Sequence, residues 1–138
     1  MTDDNCIFCK IAAGEIPSRK IYEDKDLIAI MELSPTSKGH SLIIPKEHYT
    51  NIYDIDEEIA GKVMKTAKKL ATKMTVALNC DGFNLLQNNG ETAGQTMFHF
   101  HMHLIPRYKD ADNNMLKFTS VSFSDEEMDS IRDQIIKD

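Results

Sequence analysis

Between positions 99 and 105 the chain reads His99-Phe100-His101-Met102-His103-Leu104-Ile105, with imidazole and apolar side chains in strict alternation as far as Leu104. Successive side chains of a strand point to opposite faces. An extended conformation therefore sends the three imidazoles one way and Phe100, Met102 and Leu104 the other, into a core. On a helix the two kinds would be mixed around the surface. The chain is committed to a sheet with a buried face, and the pattern places a strand over Met97 to Ile105, ended by Pro106.

Partners for that strand lie on both sides of it. Lys20-Ile21-Tyr22-Glu23 and Leu27-Ile28-Ala29-Ile30-Met31 flank the acidic turn Asp24-Lys25-Asp26 and suit a hairpin. Gly39 to Ile44 is a third strand, stopped by Pro45. Gly82 to Gln87 is another, joined to the histidine strand through the turn-rich Asn88-Asn89-Gly90-Glu91-Thr92-Ala93-Gly94. Helical signals are separate from these. Cys6 to Ala13 reads as a short helix closed by Gly14, before Ile16-Pro17 starts an extended stretch. From Asp56 to Asn79 the apolar residues Ile59, Val63, Ala67, Leu70, Met74 and Leu78 recur every three or four positions. Asp54 with Glu57 resembles a capping box at its start, and Lys65, Lys68, Lys69 and Lys73 take the outward side. Asp110 to Asn114 is loop. Ser124-Asp125-Glu126-Glu127 then caps a final helix with Met128, Ile131 and Ile135 on its inner face. Strands in hairpin-like pairs, not in alternation with helices, make the class α+β: an antiparallel sheet with helices packed against it.

The 138 residues fit one domain, with a core over about residues 6–107 and an extension with the final helix over 108–138. A net charge of −6, with no long block of like charge, argues against nucleic acid as a partner. The amino end, Met1-Thr2-Asp3-Asp4-Asn5, is polar and acidic, unlike a secretory signal, and no apolar run approaches the ~20 residues of a membrane span. The expected setting is the cytoplasm, with no membrane partner and with Cys6, Cys9 and Cys80 reduced.

Imidazole titrates near neutrality, so His99, His101 and His103 together can supply a nucleophile, a proton donor and an orienting group. The same three imidazoles could instead cage a metal, or simply decorate a solvated face. Cys6-Ile7-Phe8-Cys9 is a Cys-x-x-Cys pair that His48 and one histidine of the alternating strand could complete into a tetrahedral zinc site. A redox role and plain burial are the other readings of the pair, and Cys80 reads as a core or boundary residue. Gly94, Gln95 and Thr96, just before the strand, are suited to hydrogen-bond phosphate oxygens through side chains and backbone N–H groups, or form a simple hairpin turn.

The pattern His-φ-His-φ-His-φ-φ, with φ apolar, resembles the signature of the histidine triad (HIT) family, and His99 to Ile105 fits it throughout. Gly39-His40-Ser41-Leu42-Ile43-Ile44-Pro45-Lys46-Glu47-His48 is similar to the His-x-Leu-x-Ile-Pro-Lys-x-His segment of its Hint-like branch. Gly94-Gln95-Thr96 resembles the Gly-Gln-Ser before the triad. The likeness covers roughly Cys6 to Arg107.

The resemblance implies a five-stranded antiparallel sheet with two main helices, paired as a two-fold dimer, and a purine nucleotide site of AMP type beside the histidine strand. By it, His101 would attack the α-phosphorus and become nucleotidylated. His103 would bind phosphate oxygens and help protonate the leaving group, and His40 would belong to the cluster behind them. Glu32 would bond the ribose hydroxyls where aspartate is more usual, Asn88 would contact the phosphate region, and Ile7, Phe8, Ile11, Ile30 and Leu42 would wall the base. Cys6, Cys9, His48 and His99 would hold a structural zinc, with no organic cofactor. The implied activity is a purine nucleoside phosphoramidase releasing AMP through nucleotidyl-His101. The alternatives are a dinucleoside polyphosphate hydrolase, a binding or scaffold protein with vestigial activity, and a hydrolase using an open histidine-zinc site.

Overall fold

The computed structural model describes residues 2–111 and 116–138. Its strands are β1 (Lys20–Glu23), β2 (Leu27–Met31), β3 (Ser41–Pro45), β4 (Gly82–Leu86) and β5 (Met102–Arg107). They form one five-stranded antiparallel sheet, as the resemblance implies, in the order β1-β2-β3-β5-β4. The helices are α1 (Ile7–Ala12), α2 (Glu57–Leu78) and α3 (Asp125–Ile136), with a single 3-10 turn at Glu91–Ala93 inside the loop between β4 and β5.

The central strands are apolar at nearly every position because helices cover both faces of the sheet. Leu27, Ala29 and Ile43 pack with Val63, Ala67, Leu70 and Met74 of α2, and the same cluster takes Phe100, Met102 and Leu104. The alternate residues Ile28, Ile30, Leu42 and Ile44 pack with Phe8 and Ile11 of α1 on the other face. Strand periodicity thus delivers the apolar set of residues 100–104 to the α2 side and leaves the imidazoles on the α1 side.

Four boundaries differ from the sequence reading. The ladder of β5 begins at Met102 and not at Met97, because its pairing with β3 runs from Ser41 opposite Leu104 to Ile43 opposite Met102. Phe100 N–H instead bonds the Tyr49 carbonyl, at 2.6 Å. Pro45 and Pro106 lie inside strands, opposite Leu27 and Phe83 respectively. The long helix is capped by Asp56, whose carboxylate accepts from the N–H groups of Glu58 and Ile59. Asp54 accepts from Thr50 and Asn51, both at 2.9 Å, and closes the preceding turn.

At the carboxyl end the capping box of Ser124 and Glu127 forms as expected. The face of α3 that the sequence reading turned inward is open, with Met128 55% and Ile135 76% exposed. Helical period marks an apolar stripe without saying what covers it. Of the expected loop at 110–114, residues 112–114 lie outside the described residues. No helix among the described residues is long and apolar enough to cross a membrane.

Candidate active site and metal centre

His101 is 8% exposed and sits edge-on to the Phe8 ring, with centroids 5.1 Å apart. Its Nδ1 lies 2.8 Å from the His99 carbonyl oxygen. A carbonyl only accepts, so Nδ1 carries the proton and Nε2 keeps its lone pair. Burial pulls the imidazole below its ordinary value, while the bond to the His99 carbonyl and the Glu32 charge act the other way. The result is a neutral imidazole whose unprotonated nitrogen is fixed in advance, as a nitrogen nucleophile requires.

The His103 ring lies 4.9 Å from that of His101, and its Nδ1 is 2.9 Å from Nε2 of the buried His40. Burial is the main cause that lowers both, with His101 and His40 adding to it at His103, which falls to about 4. Glu32 follows β2, and its N–H bonds the His40 carbonyl. Its charge acts on both His40 and His101.

His99 faces a second cluster. Its Nε2 donates to the Pro45 carbonyl at 2.8 Å, which turns the Nδ1 lone pair toward Cys6 Sγ at 3.3 Å and Cys9 Sγ at 3.5 Å. His48 Nδ1 lies 3.4 Å from Cys9 Sγ, and the four donor atoms all fall within 4.8 Å of one another. Ligands held about 2.0–2.3 Å from a tetrahedral zinc stand roughly 3.4–3.8 Å apart, so the donors fit the ion in number and type, and the Cys6–His99, Cys9–His99 and Cys9–His48 separations lie near that spacing. Asp3 N–H points at Cys9 Sγ and Cys9 N–H at Cys6 Sγ, both at 3.4 Å, which favours thiolates. Burial raises the Cys9 thiol, and a bound cation would reverse that by drawing the proton off. His101 and His103 are not in this group, so an open three-imidazole cage is not what the fold assembles.

The expected nucleotide-binding residues divide. Phe8, Ile11, Ile30 and Leu42 form the tightly packed core under α1, whereas Ile7 is 44% exposed and lines a cleft with Cys6, His48, Thr96, Met97 and Phe98. Asn88 and Gly94 adjoin, since a Cβ on Gly94 would come within 3.6 Å of Asn88 Nδ2. Thr96 is exposed in the cleft. Gln95 departs from expectation, because both its backbone N–H and its side chain are spent on the loop. The N–H bonds the Gly90 carbonyl, while Oε1 accepts from Gly90 and Nε2 donates to the Thr50 and Met97 carbonyls.

Sequence reasoning missed the backbone groups that orient the site, namely the carbonyls of Pro45 and His99 and the N–H groups of Thr36 and Asp3. They carry no side-chain signal. The one hint is proline at 45, where the strand keeps a carbonyl but has no N–H.

A model of the HIT domain matches residues 13–110. A Bacillus subtilis protein named "Protein hit" is 42% identical over 136 residues, 97% of this chain and 94% of that one. A Saccharomyces cerevisiae adenosine 5′-monophosphoramidase is 47% identical over 105 residues, 76% of this chain and 64% of its own. The crystal structure of a Streptococcus mutans protein superposes with a TM-score of 0.93 at 39% identity, covering 99% of this chain and 86% of the other.

Proposed function

The chain belongs to the HIT domain family, and on that premise we propose that it is a purine nucleoside phosphoramidase, hydrolysing AMP-type phosphoramidates through His101. The observation that carries the reading is the pinned Nδ1–H of His101, which leaves a neutral Nε2 lone pair in a buried setting. In the first step Nε2 attacks the α-phosphorus and the phosphorus–nitrogen bond to the leaving amine breaks. The amine departs with a proton taken up from solvent, which the water of the second step returns, and the nucleotide stays on His101. In the second step oxygen from water bonds to phosphorus, the bond to Nε2 breaks and AMP leaves. One water is consumed overall, its proton going to the amine and its hydroxide to the phosphorus. Dividing one displacement into two easier ones is the benefit of the covalent route.

His103 binds phosphate oxygens and assists departure of the leaving group, with Thr96 and Asn88 at the phosphate end. Glu32 faces the ribose. Ile7 and the outer edge of the Phe8 cluster border the base. Cys6, Cys9, His48 and His99 hold a zinc that ties α1 to the sheet, with four protein ligands and no open position for catalysis. We further propose a two-fold dimer, for which the exposed stripe of α3 offers surface to cover.

The test is turnover of adenosine 5′-phosphoramidate by wild type and His101→Asn, beside a diadenosine polyphosphate. A loss of at least about a thousandfold in the variant, with zinc and AMP binding retained, supports the reading. Wild type that binds AMP but turns over neither compound overturns it.

A further inference from the structure

The protonation of the pair behind His101 is decided by one backbone amide. Thr36 N–H donates to His40 Nδ1 at 3.1 Å, so that nitrogen holds a lone pair. The proton of a neutral His40 is then on Nε2, which lies 2.9 Å from His103 Nδ1. The opposite direction, His103 donating to His40, would leave lone pairs on both nitrogens of His40 and make it an anion, which imidazole does not become near neutrality. His40 therefore donates and His103 Nδ1 accepts. A ring whose Nδ1 accepts must carry its proton on Nε2.

We propose that His40 is a positioning residue, locked by the Thr36 N–H, that holds His103 as a neutral imidazole with its proton on Nε2. His103 then acts on the substrate as a hydrogen-bond donor and not as an imidazolium acid. The family resemblance assigns His103 a share in protonating the leaving group. The hydrogen bonding instead makes it a fixed dipole that stabilises charge on a phosphate oxygen, in the way a neutral histidine can serve as an electrophile. An imidazolium at His103 would need an acceptor at His40 Nε2, and the Thr36 contact removes it. Burial of both rings works in the same direction, against charge.

The tautomers follow from geometry alone; only their catalytic use rests on the phosphoramidase reading. The experiment is long-range proton–nitrogen correlation NMR of the zinc-loaded protein at pH 7, with His40 and His103 assigned through His40→Gln and His40→Glu. In wild type both rings should be neutral with the proton on Nε2. Gln at position 40 can still accept from Thr36 and donate to His103, so the His103 tautomer should persist. Glu can only accept, so the His103 proton should move to Nδ1 or the ring should become cationic, with a loss of turnover of order 10²–10⁴ as for other wrong-tautomer histidines. Wild-type His103 found as imidazolium, or with its proton on Nδ1, overturns the proposal whether or not the variants fold. Correct tautomers in a protein without phosphoramidase activity would sink the functional reading and leave this one standing.

Discussion

Replacing Gln95 by methionine tests whether this side chain is a clamp or a ligand. Gln95 is 2% exposed, and its amide makes bonds of 2.8 Å from Gly90 N–H, 2.7 Å to the Thr50 carbonyl and 3.0 Å to the Met97 carbonyl. Methionine keeps the length and volume but offers no comparable donor or acceptor. At about 0.5–1.5 kcal/mol net for each of these three short bonds, with a fourth from Asn51 Nδ2 to Oε1 too long at 3.5 Å to add much, the loss is roughly 1.5–4.5 kcal/mol. The abandoned groups belong to half-buried residues that water can partly reach, so a value near 3 kcal/mol is expected, not the full penalty of orphaned groups. For a domain of this size that corresponds to about 10 °C in Tm. Urea unfolding followed by circular dichroism, with zinc in excess, measures it. Because the clamp ties the segment after His48 to the segment before His99, zinc affinity should fall with it. A loss below about 1 kcal/mol would show that Gln95 does not hold the loop and would reopen its use toward phosphate.

Elemental analysis of untagged protein should find about one zinc per chain, and Cys9→Ser should lower zinc content and abolish the drop in Tm that a chelator causes in wild type. Acid should destabilise the fold between about pH 6.5 and 4. His103 falls from an ordinary 6.5 to about 4 on folding, so in that window the unfolded chain binds the extra proton and stability is lost as pH decreases. Unfolding at pH 7.5 and pH 5 should show a smaller difference in His103→Gln than in wild type. Gly39→Ala should cost about 2–4 kcal/mol in urea unfolding, combining a left-handed φ of +92° with a Cβ only 2.5 Å from Leu78 Cδ1 and 3.3 Å from Pro106 Cγ.

The fold was legible where side-chain period carries the information. The alternation from His99 to Leu104 sorted imidazoles from core residues correctly even though the first part of the segment is not ladder: residues 97–99 form a bend, and Phe100 N–H is held by the Tyr49 carbonyl instead of a strand partner. Pro45 and Pro106 were read as terminators, yet each sits in a strand, since a proline is tolerated wherever the ladder does not need its N–H. Asp54 and Asp56 both stand within reach of a helix start, and residue type alone cannot choose between them. Only the turn that Asp54 closes does so. The stripe of α3 was read as an inner face because Met128, Ile131 and Ile135 follow one another at helical spacing behind a clear cap. In the structure that stripe does not pack on the sheet and is exposed.

Residue types located the site's histidines but not their proton inventory, because the groups that set it belong to the main chain. Pro45 oxygen assigns His99, His99 oxygen assigns His101, and Thr36 N–H assigns His40 and through it His103. The first two assignments are linked by one residue: His99 turns its ring toward Cys6 and Cys9 and its carbonyl toward His101, the proposed nucleophile. A change at Cys6 or Cys9 that shifts the backbone of His99 would therefore also move the carbonyl that fixes His101. A zinc with no open coordination position would then bear on catalysis through geometry alone. On this argument, loss of the metal lowers turnover without a change in the chemistry of the step, and the same loss leaves the Thr36–His40–His103 chain intact.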